Sequence, residues 1–236
     1  MVSTLFDFDG VLVDSEPVHL AAFNDVLAAR GIAIGEREYA ERYLSLDDAG
    51  VFRAVLGRTG AATDIDEITA LVAAKSPRFL ARFEDAFRPF PGAAQLVARR
   101  AARGPVGIVS GALEREIALA LGKLGLQGAV SFVVSAESTR ASKPDPAPYL
   151  LAMSELRRRG HDAAGAVVVE DSLGGIASAK RAGLRCIAVA HTYARDELAR
   201  AGADAVVETL AAMSDDLLDG APAGGLAQAS FPGKAP

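Results

Sequence analysis

Six short apolar runs recur along this chain, and they constrain its fold more than any other feature. Most of them are nearly continuous rather than alternating, which is typical of strands that are buried on both faces. They lie at residues 2–8, 106–109, 130–134, 166–169, 186–190 and 205–207. Between the later runs lie predicted helical stretches, at residues 93–103, 113–124, 147–159, 174–182 and 195–201. The alternation predicts an α/β fold with a doubly wound, Rossmann-like parallel sheet.

The segment from residue 15 to residue 88 breaks this alternation. It contains no clear strand-like run, and its apolar residues recur at helical spacing, as at Phe79, Phe83 and Phe87. Proline-containing turns flank the segment. We therefore expect a core domain of residues 1–14 and 89–219 with an all-helical cap inserted at 15–88. Residues 220–236 are rich in Ala, Gly and Pro, which predicts a disordered tail.

Composition narrows the class of partner. The net charge of −5, from 25 basic and 30 acidic residues, provides no broad basic surface for nucleic acid or an anionic membrane. The single cysteine, Cys186, has no partner for an internal disulfide, and no uncharged apolar stretch of about 18 residues is present. We expect a cytoplasmic protein that acts on a small molecule, as a monomer or a dimer.

Acidic side chains follow two of the predicted strands. Asp7 and Asp9 end the first run, and Glu170 and Asp171 follow the run at 166–169. Ligands of such sheets bind outside the carboxyl ends of the strands, and carboxylates held close together need a compensating cation. Hard oxygen ligands from two strand ends suit Mg²⁺. The alternatives are an Asp-Gly turn and a simple helix cap by Asp171 or Ser172.

Two further strand ends carry groups that suit a phosphate. Ser110 and Gly111 precede a predicted helix, where a hydroxyl and backbone N–H groups form an anion site, although Ser110 alone could be a helix cap. Lys143 lies in a loop fixed by Pro144, where its ammonium group suits a phosphoryl oxygen or a crowded carboxylate. A solvated surface lysine is the alternative.

These groups together resemble a known family. They are similar to the four ordered motifs of the haloacid dehalogenase superfamily. In this chain the motifs are the segment DFDGVLVDSE at residues 7–16, then Ser110, then Lys143-Pro144, and then Glu170-Asp171-Ser172. The resemblance covers roughly residues 1–210. A helical insert directly after the first motif resembles the subclass that includes phosphoglycolate phosphatases and β-phosphoglucomutases.

The resemblance implies a role for each residue at the reacting phosphoryl group. Asp7 would be the nucleophile that forms an aspartyl phosphate. Asp9 would first protonate the leaving oxygen and then activate water. Ser110 and Lys143 would hold the phosphoryl oxygens.

The resemblance also implies the metal site and the type of reaction. Mg²⁺ would be bound by the side chains of Asp7, Asp171 and Glu170 and by the backbone carbonyl of Asp9. The metal-free dehalogenases and the phosphonatases of the superfamily lack an aspartate at the position of Asp9. Because this chain has Asp9, the resemblance implies a phosphoryl-transfer enzyme rather than a member of either of these two branches.

Substrate contacts are expected from the cap as well as the core. The resemblance points to Ser15, His19 and Lys75, alongside Ser110, Gly111 and Lys143 of the core. A packing role for His19 and a solvated helix face for Lys75 are the alternatives. His161 and His191 match no motif, and surface or packing roles are expected for both.

The cap loop around residues 45–50 should determine specificity. In this stretch the mutases have an arginine that grips a second phosphate, whereas this chain has Asp47 and Asp48. A carboxylate there would repel a second phosphate. We therefore expect a Mg²⁺-dependent hydrolase of a small phosphorylated metabolite, such as a sugar phosphate or phosphoglycolate, rather than a phosphosugar mutase. A non-catalytic phosphometabolite-binding module is the third hypothesis, and the complete set of catalytic residue types argues against it.

Overall fold

The computed structural model describes residues 1–44, 46–60 and 64–220. Ser45 of the predicted specificity loop lies outside the described residues, as does the predicted tail from residue 221 onwards. No helix in the described ranges is long and apolar enough to cross a membrane.

A six-stranded parallel sheet forms the centre of the molecule, in the order β3-β2-β1-β4-β5-β6. The strands are β1 (Thr4–Phe6), β2 (Val106–Val109), β3 (Phe132–Val134), β4 (Val167–Glu170), β5 (Arg185–Val189) and β6 (Ala205–Val207). Helices α5 (Ala93–Ala101), α6 (Glu114–Leu124), α7 (Ala147–Arg158), α8 (Leu173–Arg181), α9 (Arg195–Arg200) and α10 (Asp215–Asp219) complete the core. The predicted α/β fold class is confirmed.

The continuous apolar runs have a structural reason. Leu5 packs in the hydrophobic cluster on one face of the sheet, and its neighbour Phe6 packs in the cluster on the other face. Both side chains are fully buried. Since successive side chains of a strand point to opposite faces, a sheet covered by helices on both sides favours apolar residues at successive positions.

Among the described residues between β1 and α5, four α-helices form the cap. They are α1 (Glu16–Leu27), α2 (Glu36–Arg42), α3 (Asp48–Arg58) and α4 (Ile65–Asp85). The cap has a hydrophobic cluster of its own, in which the rings of Phe23 and Phe52 meet edge to face at 5.1 Å. A separate cluster of this kind is what an inserted module needs in order to hold its own shape.

The two chain segments that connect the cap to the core run side by side. Val13 and Pro89 form an antiparallel bridge, and the Asp14 N–H donates to the Arg88 carbonyl at 2.8 Å. Because both connections leave the sheet beside the end of β1, the cap lies over the edge where the first motif is found.

Candidate active site

Lys143 joins two carboxylates at the carboxyl edge of the sheet. Its Nζ lies 2.9 Å from Asp7 Oδ1 and 2.6 Å from Glu170 Oε1, and it donates to the Val109 carbonyl at 2.8 Å. Asp7 follows β1 directly, and its N–H still donates to the Val169 carbonyl at 2.9 Å. The strand therefore aims the Asp7 carboxylate, and three acceptors fix the ammonium group beside it.

Glu170 is the last residue of β4, and its carboxylate is fully buried and surrounded by donors. Oε1 accepts from Lys143 and from the Tyr149 hydroxyl at 2.9 Å. Oε2 accepts from the Asp171 N–H at 3.1 Å, the Ser172 N–H at 3.2 Å and the Ser172 hydroxyl at 3.0 Å. Both oxygens are thus engaged by protein donors, and this carboxylate orients Lys143.

Asp171 is the buried carboxylate with bonding capacity to spare. Its Oδ2 accepts from the Thr192 hydroxyl, whereas its buried Oδ1 has no hydrogen-bond partner among the described residues. Ser172, rather than Asp171, caps α8, by accepting from the Gly175 N–H at 3.0 Å. The helix-cap alternative is therefore wrong for Asp171 and right for Ser172.

A divalent cation fits this group of acids. One carboxylate oxygen each from Asp7, Glu170 and Asp171 lies within 4.8 Å of the others, and Asp171 also carries the unpartnered Oδ1. Buried polar atoms are normally paired, so an unpaired carboxylate oxygen beside two other acids indicates a cation ligand.

Burial and mutual repulsion change the pKa values of these acids. Burial, with the charge of Glu170, raises the pKa of Asp7 to about 8, although Lys143 acts in the opposite direction. Burial, with the charges of Glu170 and Asp7, also holds the pKa of Asp171 well above its ordinary value. Burial opposes the charge on Lys143, but Asp7 and Glu170 outweigh it and raise the pKa of Lys143. A bound cation would reverse the shifts of the two aspartates.

Asp9 faces the cap rather than the other acids. Its Oδ1 accepts from the Ser15 hydroxyl and lies 3.8 Å from His19 Nε2. Burial opposes ionisation of Asp9, but His19, Ser15 and Lys75 outweigh it and lower its pKa. Since Lys75 Nζ can only donate, at 2.7 Å to His19 Nδ1, the His19 proton is on Nε2 and faces Asp9.

Ser110 and Gly111 follow β2 at the same edge. Ser110 is buried, and its Oγ accepts from the Ala112 N–H at 3.0 Å, which leaves the hydroxyl hydrogen free to donate. Gly111 is exposed, and nothing lies within 4 Å of the Cβ that another residue would place there. Both residues line the cavity described next.

A cavity of about 270 Å³ lies between this edge and the cap. The core contributes Asp7, Asp9, Ser110, Gly111, Lys143 and Asp171 to its wall, and the cap contributes Glu16, His19, Asp47 and Asp48. Six core residues thus line one space, and the cap residues on its other side include three carboxylates.

Lys75 departs from one of the two sequence-based expectations. It is fully buried in α4, so the solvated helix face is wrong. It is also absent from the cavity wall, and reaches the site only through His19 and Asp48. His191, for which packing was an expected role, stacks on Phe90 at 3.8 Å between ring centroids and donates from Nδ1 to the Gly10 carbonyl at 2.9 Å.

Sequence reasoning missed two positioning residues. Thr192 follows β5 at the same edge as the other groups, so the strand-end rule would have found it. Tyr149 carries no such signal, because it acts through a long-range contact with Glu170. The sequence points to Asp48 in the cap loop, but not to its pairing with Lys75. His161 is exposed, away from the site.

A parallel sheet brings Asp7, Ser110, Lys143 and Asp171 to one edge beneath a helical cap, and this arrangement is typical of an α/β protein with a carboxylate-based phosphate site. A sequence model of the haloacid dehalogenase-like hydrolases matches residues 4–189. The chain belongs to this family, and it is a phosphoric monoester hydrolase.

Named relatives share most of their length with this chain. Phosphoglycolate phosphatase of Rhodospirillum rubrum is 32% identical over 221 residues, which cover 90% of this chain and 89% of the relative. N-acetylmuramic acid 6-phosphate phosphatase of Pseudomonas aeruginosa is 29% identical, with coverage of 87% and 90%. The structure of CbbY from Rhodobacter sphaeroides in complex with phosphate has a TM-score of 0.81 at 28% identity and covers 93% of this chain and 100% of CbbY.

Proposed function

We propose that this chain hydrolyses phosphomonoesters of small metabolites through an aspartyl phosphate on Asp7, with Mg²⁺ as cofactor. Residues 1–14 and 89–219 would form the catalytic core, and residues 15–88 would cover the substrate. One observation carries the proposal: Asp7, held by Lys143, shares a buried edge with Asp171 and its unpartnered Oδ1. The phosphatase relatives support the same chemistry.

The fit of the acids identifies the residues that would hold Mg²⁺. Asp7 and Asp171 would supply side-chain oxygens, and the resemblance adds the Asp9 backbone carbonyl. The Glu170 side chain is less suited to direct ligation, because protein donors engage both of its oxygens. When bound, Mg²⁺ would neutralise phosphoryl charge and the repulsion between the carboxylates.

The chain's own residues account for both half-reactions. An Asp7 oxygen attacks phosphorus while the bond from phosphorus to the leaving oxygen breaks, and Asp9 gives that oxygen its proton. Asp9 then takes a proton from a water molecule, whose oxygen attacks phosphorus and releases Asp7 and phosphate. Lys143 and the Ser110 hydroxyl would bind the phosphoryl oxygens throughout.

Hydrolysis is favoured over mutase chemistry by the cap. A mutase must bind the second phosphate of a bisphosphate intermediate, whereas Asp48 stands on the cap wall with its charge directed to Lys75. Phosphorus NMR on a sugar 1-phosphate supplied with its bisphosphate separates the two outcomes. We expect inorganic phosphate and no isomerised sugar phosphate.

The direct test uses the full chain with p-nitrophenyl phosphate and a panel of phosphorylated metabolites. We expect activity that EDTA abolishes and Mg²⁺ restores, and a loss of at least about 10³-fold in Asp7→Asn, since removal of a nucleophile leaves only binding and electrostatics. Ser138→Ala, outside the cavity, is the matched control. Activity that survives both EDTA and Asp7→Asn would refute the proposal.

A further inference from the structure

An ion pair stands behind the cap wall of the cavity. Lys75 Nζ binds Asp48 Oδ1 and donates to His19 Nδ1 at 2.7 Å. The Lys75 side chain is only 1% exposed, whereas that of Asp48 is 27% exposed. In this pair the ammonium group of Lys75 is therefore buried, whereas the carboxylate of Asp48 is partly exposed.

Aromatic rings enclose the ammonium group on its other sides. Lys75 Nζ lies 4.3 Å from the ring centroid of Phe23 and 5.4 Å from that of Phe79. Phe23 lines the cavity together with Asp48, while Lys75 does not. A ligand in the cavity thus meets a ring and a carboxylate, and cannot reach the charge of Lys75 directly.

The neighbouring carboxylate, Asp47, is fixed in place. Its Oδ1 accepts from the Gly50 N–H at 2.8 Å and caps α3, and its Oδ2 accepts from the Ser142 hydroxyl at 3.2 Å. Ser142 belongs to the core loop that carries Lys143. This contact holds the acidic end of α3 across the cavity from the phosphate site.

The basic residues of the cavity wall do not offset these acids. Lys143 is engaged by Asp7 and Glu170. Arg140 lines the cavity from the core side, but it is exposed, so water and salt screen its charge. His19 also lines the cavity from the cap, but its Nδ1 accepts from Lys75 and its Nε2 faces Asp9. Among the described lining residues, the cap thus contributes three carboxylates, those of Glu16, Asp47 and Asp48, against this one imidazole.

We propose that the Asp48–Lys75 pair selects phosphomonoesters whose leaving group carries no second anionic group. A leaving group with hydroxyls can donate to the cap carboxylates. A carboxylate or a second phosphate at that place would lose its hydration and face fixed negative charge without an available cation. The inference rests on the proposed function and narrows its substrate class.

The test compares two probes that differ in one group. Phosphoglycolate and 2-hydroxyethyl phosphate have the same length, with a carboxylate in one and a hydroxymethyl group in the other. Isothermal titration calorimetry with the Asp7→Asn chain and Mg²⁺ measures both dissociation constants without turnover. We expect 2-hydroxyethyl phosphate to bind at least tenfold more tightly than phosphoglycolate, and Asp48→Asn in the same background to reduce this ratio about tenfold.

Two further variants make the result specific. Asp85→Asn removes the same charge from an exposed cap position away from the cavity and should leave the ratio unchanged. Asp48→Asn combined with Lys75→Met avoids an unpaired buried lysine, and should reduce the ratio about threefold. Equal affinities in the parent, an unchanged ratio in both Asp48 variants, or an equal change in Asp85→Asn would overturn the inference.

Failure of the proposed function is detected separately. The unsubstituted chain is assayed for hydrolysis of both probes and of p-nitrophenyl phosphate. Absence of turnover counts against the proposed function, whereas the binding ratio alone decides on the selectivity of the cap wall.

Discussion

Replacing Gly10 by alanine should disable the active site without unfolding the protein. Gly10 follows Asp9 and has a φ of +75°, in the left-handed region that L side chains rarely adopt. A Cβ at this position would lie 1.9 Å from Asp171 Oδ2 and 2.5 Å from Asp171 Cγ. Real Cβ contacts essentially never fall below 3.0 Å, so the loop and the Asp171 carboxylate must move apart.

The size of the effect follows from these distances. Raising the contact from 1.9 Å to 3.0 Å requires a relative displacement of about 1.1 Å. Metal–ligand distances tolerate only about 0.2 Å, and a misplacement of about 1 Å costs on the order of 10²-fold in rate. The positive φ adds about 1–2 kcal/mol of backbone strain, which for a chain of this size lowers Tm by roughly 2–8 °C.

Gly31→Ala is the matched control. Gly31 has a φ of +66°, and nothing lies within 4 Å of its added Cβ. Both variants should therefore lose thermal stability through backbone strain, measured by circular dichroism, and Gly10→Ala should lose more because of its contact with Asp171. Only Gly10→Ala should lose phosphatase activity with p-nitrophenyl phosphate, by about 10²-fold at saturating Mg²⁺. If Gly10→Ala keeps more than a third of the control's activity, the argument from the Asp171 contact is refuted.

Three further predictions concern the partners of buried charges. Glu170→Gln should lower kcat at least tenfold because it weakens the ion pair that orients Lys143. Tyr149→Phe keeps that ion pair and should retain most activity. Equal losses of activity in steady-state assays of the two variants would contradict the role of Glu170 in orienting Lys143. Arg100→Met removes a fully buried guanidinium that binds Asp219 at 2.7 Å. This variant should lower the free energy of unfolding, measured in urea, by about 2–4 kcal/mol. A loss below about 1 kcal/mol would contradict a stabilising role for this ion pair. The hydrogen bond from Arg100 lowers the pKa of Asp219 in the folded state, so its stabilisation is present above the unfolded pKa of about 3.9 and is lost as pH falls through the folded value. Between pH 5 and pH 3 the urea midpoint of the unsubstituted chain should therefore fall more than that of Asp219→Asn, and parallel curves would disprove the linkage.

The sheet could be predicted from sequence because its strands are buried on both faces. The bounds of β2 and β6 match the apolar runs at residues 106–109 and 205–207. The first strand is shorter than the run at 2–8 and spans Thr4–Phe6. Apolar character extends further than the ladder there because Phe8 is buried in the core cluster although it lies beyond the strand.

The catalytic edge could be predicted for a topological reason. In a parallel sheet every strand delivers its carboxyl end to the same side, so residues far apart in sequence meet there. The contacts made by these residues were not predictable from the same rule. Glu170 reads as a metal ligand by position, but its pairing with Lys143 and Tyr149 depends on where a loop and a helix pack against β4.

The net charge that the cap presents to a ligand could not be predicted from the sequence alone, because it depends on how two cap helices pack. By sequence alone, Asp48 is a carboxylate at a position where a mutase has an arginine, and Lys75 is a cation available to a substrate. Position 48 begins α3 and position 75 lies within α4, and only the packing of these two helices brings the charges together. Once paired, Lys75 can no longer serve a second phosphate, and the exposed oxygens of Asp48 still face the cavity. The repulsion of a second anionic group, which the sequence predicts from Asp48 alone, thus depends on both Asp48 and Lys75. Removing the Asp48 carboxylate should therefore also free the Lys75 ammonium group to bind an anion.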